Sequence, residues 1–275
     1  MKDQTRQSAG WQVEQSASKA YEQFLVPAIF SQWTERLIET SEMQPGDTVL
    51  DIACGTGIVA RRAATRVGTN GSVAGLDINE RMLAVAKECA AGIQPPIEWH
   101  HGDAAHLPFA EDEFDAICCQ QALQFFGDPA SVIEEMKRVL RLDGRVTLSV
   151  WRPLSYQPAY VVLADALAQY ISEDAGEMMG SPFPAWDSED LRTLLQGAGF
   201  EDVLVTVEIA SVRYPSVAEF IRREAASSPL AEPIANVAQE VRDELIHAVE
   251  GDLHPYIDDG GIVSPMESYV IVAER

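Results

Sequence analysis

The stretch "VLDIACGTGIVA", Val49 to Ala60, constrains the fold more than any other part of the chain. An apolar run carries an acid, Asp51, at its centre. It breaks into Gly55-Thr56-Gly57 before a second apolar run with helical spacing. Glycine removes the Cβ that would hold a ligand away from the backbone. The first amides of the following helix have no partner inside it and are free to donate. The pattern is a strand, a tight loop and a helix, with a ligand at the carboxyl end of the strand.

The same alternation continues to about residue 151. Thr48 to Ile52 reads as a strand, Ile58 to Val67 as a helix stopped by Gly68, and Ser72 to Asp77 as a second strand. Asn79 is placed to cap a helix running through Ala91. Ile97 to His101 and Phe114 to Gln120 are further strands. Asp128-Pro129 opens a helix to Leu140, and Arg145 to Trp151 is a fifth strand. Strands joined by helices of this length give right-handed crossovers and a parallel sheet. Beyond Trp151 prolines punctuate a helix near residues 159–171 and an exposed-looking "EDAGEMMGSPFPAW". Ser188 to Ala198 reads as a helix and Val203 to Val212 as a strand. Ser216 and Glu219 stand at capping-box spacing, residues 234–250 read as a helix, and Met266 to Ala273 as a last strand. The expected fold is α/β: a doubly wound, seven-stranded, mainly parallel sheet with an antiparallel last strand and a helical cap. The expected organisation is an N-terminal helical lid (1–44), a ligand-binding core (45–151), a cap insertion (152–187), a core helix and strand (188–212), a second cap insertion (213–265) and the last core strand (266–275).

Four segments fall at the carboxyl ends of the strands: Asp51 to Gly57, Asp77, Gly102-Asp103-Ala104, and Gln120-Gln121. Asp77 is placed to accept both hydroxyls of a ribose, and Asp103 to accept from an exocyclic amine. A rival reading exists. Gly55-x-Gly57-x-x-Ala60, with Asp77 some twenty residues on, also fits a dinucleotide fingerprint. Three features oppose it. Asp51 would repel a pyrophosphate but suits an ammonium group. Asp103 has no role in that fingerprint. The chain also closes on a strand pair whose non-helical return favours an antiparallel insertion.

These segments resemble class I S-adenosylmethionine-dependent methyltransferases, especially the small-molecule group that includes ubiquinone and menaquinone C-methyltransferases, with a Rossmann-like core. "VLDIACGTG" resembles that family's first motif, "VAGLDINERML" its second strand with a ribose-binding acid, and "HGDAAHLPF" its adenine-side loop. "FDAICCQQALQFF" and "EMKRVLRLDGRVTLSVW" are similar to its fourth strand and to the helix and fifth strand. The resemblance is specific over about residues 40–151, weaker over 188–212 and 266–274, and poor over 153–187 and 213–265. The family usually has glycine where Ala53 stands. What the resemblance implies is S-adenosyl-L-methionine as cofactor. Ala53, Cys54, Gly55 and Gly57 would form the loop under its methionine moiety, and Asp51 would orient the ammonium. Asp77 would hold the ribose, Ile78 and Met82 would flank the adenine, and Gly102, Asp103 and Ala104 would read its edge. Gln120 would lie beside the sulfonium. The implied activity is methyl transfer to O, N or C of a small, largely apolar or aromatic acceptor. An NAD(P)-dependent oxidoreductase and a non-catalytic S-adenosylmethionine-binding protein stand as the rivals.

Net charge narrows the partners. At −23, with 16 Arg and 4 Lys, the surface repels nucleic acid and anionic lipid. No run approaches the ~20 apolar residues of a membrane helix, and Met1 to Thr5 show no secretory leader. Four cysteines without zinc-ribbon spacing read as a reducing cytoplasm. His100 and His101 alternate across a strand, and with His106 they give no metal set, so none is expected. No base is assigned; the polar candidates are Tyr21, Gln121, His247, His254 and Tyr256. The expected partner is a small-molecule acceptor. The oligomeric state stays open, a homodimer being one outcome.

Overall fold

The computed structural model describes residues 15–275. The leader reading at Met1 to Thr5 and residues 1–14 of the expected lid lie outside the described residues. The strands are β1 (Thr48–Ile52), β2 (Ser72–Asp77), β3 (Ile97–His101), β4 (Phe114–Gln120), β5 (Leu140–Trp151), β6 (Val203–Tyr214), the two-residue β7 (Ile257–Asp258) and β8 (Gly261–Glu274). Seven of them form one sheet in the order β3-β2-β1-β4-β5-β8-β6, and β7 pairs with the start of β8. β1 to β5 run parallel, and β8 is antiparallel to both β5 and β6. The expected α/β sheet with an inserted antiparallel last strand is therefore present. Val49, Leu50 and Ile52 of the central β1 are fully buried, as a strand covered by helices on both faces requires.

Local chemistry sets the helix starts. The Asn79 side chain accepts from Arg81 and Met82 N–H to open Glu80–Cys89, and Asp128 accepts from Ser131 N–H to open Pro129–Val139. Asp187, one residue before the expected Ser188, caps Ser188–Gly197 and completes a reciprocal capping box with Asp190. Leu37, Val59 and Ala63, from Ser31–Ser41 and Ile58–Val67, pack with Val49 and Cys118. Ile133, Met136, Leu191 and Leu195 pack with Leu50, Ile117 and Leu148. A third core joins Leu25, Ile29 and Trp33 to Trp151, Tyr160, Phe220 and Leu245.

Four expectations need correction. Residues 173–186 are not a wholly exposed segment: Glu173–Gly180 is a helix that buries Ala175, Gly176 and Met179, and Phe183 follows it into the core, while Glu173, Asp174 and Glu177 stay exposed. Small residues supply most of its buried face, so it does not show as apolar periodicity. The expected helix 234–250 is divided into Ala231–Ala235 and Gln239–Asp252, with Ala238 extended between them. β8 begins at Gly261, ahead of the expected Met266, although it contains Pro265. Register resolves this: β5 meets β8 only from Ser268 onward, so at Pro265 only β6 lies alongside and no second partner needs its missing N–H. Tyr21–Phe30 is a π-helical stretch containing Pro27, whose lack of an N–H disfavours a regular α-helical turn.

Gly55 and Gly57 make separate demands. Both have positive φ, +54° and +82°. A Cβ on Gly55 would meet nothing within 4 Å, whereas one on Gly57 would sit 2.4 Å from the Trp99 ring. Gly55→Ala should therefore cost only the backbone penalty, about 1 kcal/mol, and Gly57→Ala about 2–3 kcal/mol. Urea unfolding at unchanged m-value measures both; equal losses would mean that Trp99 yields at no cost.

Candidate functional site

A cavity of about 570 Å³ opens at the carboxyl ends of the parallel strands. One wall is Ala53 and Gly55 after β1, Asp77 to Asn79 after β2, Gly102 to Ala105 after β3, and Gln120-Gln121 at the end of β4. Met82 reaches it from Glu80–Cys89. Tyr21, Leu25, Ile29 and Phe30 of the N-terminal segment line it, as do Trp151, Tyr160, Met179, Phe183 and Glu224. Nine of the twelve candidate residues thus line one cavity: Ala53, Gly55, Asp77, Ile78, Met82, Gly102, Asp103, Ala104 and Gln120. Asp51, Cys54 and Gly57 are not in its lining. They stand behind it and shape the loop.

The loop is held by carboxylates. Cys54 N–H donates to the Leu76 carbonyl (3.0 Å), extending the sheet by one bond. Gly55 N–H donates to Asp77 Oδ2 and Asn79 N–H to Asp77 Oδ1, both at 2.8 Å. Ala60 N–H donates to Asp51 Oδ2 (2.9 Å), so Asp51 ties the strand to the first turn of the next helix. Ala53 has φ +54°, a left-handed conformation that costs a non-glycine residue about 1–2 kcal/mol. Burial holds both carboxyls up: Asp51 is pushed to about 8, and Asp77 above the usual carboxylate range despite its backbone bonds. Desolvation outweighs the backbone hydrogen bonds and the weaker pull of Arg61 on Asp51 and of His101 on Asp77.

The remaining wall is fixed by neighbours. Gln120 Oε1 accepts from Thr34 Oγ1 (3.0 Å), which ties β4 to the N-terminal segment. Gln121, at φ +52°, donates through Nε2 to Ser268 Oγ (2.9 Å). Asp103 Oδ1 accepts from Ala105 N–H (3.0 Å). Ile78 is 56% exposed, a large apolar side chain left open on the rim. His101 Nε2 lies 3.0 Å from the Ile78 carbonyl oxygen. Of the polar candidates for the acceptor side, Tyr21 and Gln121 line the cavity, while His247, His254 and Tyr256 do not. Phe125 and Phe126, readable as core, stand in the lining, as does Met179. Arg222 and Arg223 bind Glu219 and lie over the Phe24 ring.

Sequence reasoning missed Glu224. It lies on Val217–Ala226, is 3% exposed, and accepts from the hydroxyls of Tyr160 (2.9 Å) and Tyr214 (2.7 Å). Burial pushes its carboxyl up to about 7. Among the described residues the lining then holds four carboxyl groups, on Asp77, Asp103, Asp128 and Glu224, and no Lys, Arg or His. Such a wall attracts positive charge and repels phosphate.

The raised carboxyls fix a pH dependence. Between the usual carboxylate range and about pH 8 the folded chain holds protons that the unfolded chain has lost. Stability is then fully present below the unfolded value and falls as pH rises through the folded one. Without ligand, the chain should unfold at a lower denaturant midpoint at pH 8.5 than at pH 5.5. Asp51→Asn, which keeps an acceptor for Ala60 N–H, should flatten that slope. A flat profile in the parent chain would contradict the assignment.

A family described as a methyltransferase domain matches residues 49–144, from β1 into β5. The demethylmenaquinone methyltransferase of Staphylococcus epidermidis is 30% identical over 208 residues, covering 70% of this chain and 85% of that protein. The 2-phytyl-1,4-naphtoquinone methyltransferase of Trichormus variabilis is 36% identical over 128 residues, 46% of this chain and 56% of that protein. Among solved structures, phosphoethanolamine N-methyltransferase 2 of Haemonchus contortus, in complex with S-adenosyl-L-methionine, superposes with a TM-score of 0.60 at 20% identity, covering 96% of this chain and 58% of that one. The fold, the family match and the well-covered relatives agree, and the chain belongs to the S-adenosylmethionine-dependent methyltransferases.

Proposed function

We propose that the acid-bearing wall at the ends of β1 to β4 takes S-adenosyl-L-methionine, and that the cap side takes a small, flat, largely apolar acceptor. The observation that carries the reading is the lining itself: among the described residues, four carboxyl groups and no basic side chain. A pyrophosphate meets only repulsion there. A ligand with an ammonium and a sulfonium is attracted, and its hydroxyls and amine find acceptors. The loop fits the group sterically, because the space beside Gly55 is open where a Cβ would stand. Bound there, the cofactor supplies a methyl group already activated on a sulfonium.

The residues in hand do the positioning. Each oxygen of Asp77 accepts one backbone N–H, and a carboxylate has about four acceptor sites, so two remain for a diol. Ile78 and Met82 offer apolar surface to a base, and Asp103 and the Ala104 backbone offer polar edges to it. Asp51, behind the loop, contributes field rather than contact. We further propose that 152–187 and 213–265 act as the acceptor-selecting segments. Tyr160, Met179 and Phe183 come from the first and Glu224 and Ser227 from the second, while Trp151 closes β5 beside them. Trp151 lies edge-on to Trp33, with ring centroids 5.4 Å apart. Aromatic walls with few polar groups suit a flat apolar body. The quinone-type acceptors named in the two similar enzymes support that class.

Among the described residues no helix is long and apolar enough to cross a membrane, so an apolar acceptor would enter through the cavity mouth. The test is turnover of methyl-labelled S-adenosylmethionine with a panel of hydroquinones, phenols and amines. Label should pass to a member with an aromatic or apolar body. Transfer confined to nucleic acid would reject the acceptor reading.

Binding gives an independent check. S-adenosylhomocysteine at one hundred times Kd should stabilise the chain by about 2.7 kcal/mol, and NADH at equal concentration should not. Asp77→Ala should weaken that binding at least tenfold, since hydrogen bonds to a charged group are worth ~1.5–3 kcal/mol each. It should also lower stability, because the Gly55 and Asn79 amides lose their acceptor. Calorimetry showing unchanged affinity in a destabilised Asp77→Ala chain would make Asp77 purely structural.

A further inference from the structure

We infer that Glu224 is the proton acceptor of the acceptor half of the cavity, and that it selects an aromatic ring bearing a hydroxyl group. The inference rests on the acceptor-side reading above and deepens it. Glu224 is a buried carboxyl on the cavity wall, on a helix far in sequence from the loop that faces the cofactor. Both tyrosine bonds reach one oxygen, Oε1. Oε2 takes neither, and it belongs to a side chain in the lining.

Among the described residues the surroundings give this carboxyl no cation. On its own helix Arg222 and Arg223 bind Glu219. From Gln15–Ala20, Lys19 pairs with Glu88. From Gln239–Asp252 the buried residues are Leu245 and Val249. Ala231–Ala235 buries none, and its Glu232 is exposed. Tyr160 and Tyr214 are the hydroxyls that face it, and Tyr21 across the cavity is raised by burial first, then by Glu22, Asp77 and Asp51, with Glu224 adding least. A buried carboxyl held by two donors and lacking a cation is expensive to the fold, and a purely structural site would be as well served by an apolar side chain.

Aromatic surface surrounds it. The Tyr160 ring lies 5.0 Å from Phe183 and 5.6 Å from Phe220, and Phe183 lies 6.3 Å from Trp151. A ring seated among these, with its hydroxyl toward Oε2, fits both the apolar walls and the carboxyl oxygen that takes neither tyrosine. The step is a proton transfer. The acceptor's O–H bond breaks, its electron pair stays on the acceptor oxygen, and an O–H bond forms at Oε2. The oxygen, or the ring carbon conjugated with it, gains nucleophilicity as that proton leaves. The carboxyl, near 7 through burial, is a stronger base than an exposed glutamate. An ammonium would form a tight ion pair there and keep its proton, which blocks its lone pair. Tyr160 and Tyr214 are positioning residues: they fix Oε1 and leave Oε2 directed by the remaining geometry.

The experiment is binding to the S-adenosylhomocysteine-saturated protein, measured by calorimetry with 2-naphthol and naphthalene. The parent chain should bind 2-naphthol at least about tenfold more tightly than naphthalene, as a hydrogen bond to a charged group allows. Glu224→Gln, which keeps an oxygen for both tyrosines, should cut that preference to about threefold or less and leave S-adenosylhomocysteine affinity within about twofold. In Tyr160→Phe the ionised carboxyl loses a donor, so the pH below which the preference disappears should move upward. A preference that survives Glu224→Gln, an unmoved midpoint in Tyr160→Phe, or no binding of either probe would each overturn the inference. Failure to bind S-adenosylhomocysteine would instead reject the cofactor reading on which it rests.

Discussion

The binding end of this structure depends on two buried carboxylates that hold backbone rather than side chains. Asp77 takes the amides of Gly55 and Asn79, and Asp51 takes that of Ala60. These three bonds join the ends of β1 and β2 to the starts of the helices that follow them. Without them the loop 53–57, which contains the positive-φ residues Ala53, Gly55 and Gly57, would lose its fixed course. The arrangement is costly, because desolvation raises both acids. Replacing either by an apolar residue would remove that cost and also strand the amides it serves. The loop is therefore maintained by groups whose desolvation offsets part of what their backbone bonds contribute, a compromise expected at sites kept for binding.

The opposite wall is built by different means. The N-terminal segment reaches the sheet ends through Thr34 and Gln120, and its Phe30 lies near Tyr21 (4.9 Å) and Trp151 (6.3 Å). Arg61 joins it to the loop, donating to the Thr56 carbonyl (2.6 Å) and to Glu22 (2.7 Å). That is a partly buried ion pair in which the arginine also serves a backbone oxygen, so its loss would loosen the lid and the loop together. The cap then closes the chamber with aromatic and methionine side chains whose packing is adaptable.

How much of this was legible in the sequence follows from the range of the interactions involved. The strand–loop–helix units could be read because their signals are local: alternating elements, glycines at φ-positive turns, and caps such as Asn79 and Asp128 within three residues of the groups they serve. The convergence of Asp77, Asp103 and Gln120 also followed, since parallel strands put their carboxyl ends on one side. Glu224 did not follow. It sits in "EFIRREAA", where Arg222, Arg223 and Glu219 read as a solvated face. Its burial is set by Tyr160, 64 residues away, and by Tyr214 on β6. A cue was present in one respect: Phe220 and Ile221, three to four residues before it, share its buried side of the helix. The Gly57 packing against Trp99 was equally hidden, because a glycine in such a loop already has a ligand-based explanation.

The two walls therefore answer to different constraints. Changing the sheet-end wall disturbs the bonds that join β1, β2 and their helices, so its chemistry is tied to the fold. The cap wall hangs on side-chain packing contributed by separated segments, and a residue there can change the pocket while the sheet keeps its register. That asymmetry explains why the resemblance to methyltransferases is specific over residues 40–151 and poor over 153–187 and 213–265. The cofactor-facing half is constrained by backbone geometry that few sequences satisfy. On the function proposed above, the cap-side half answers instead to the shape and protons of one particular molecule, and Glu224 lines that half.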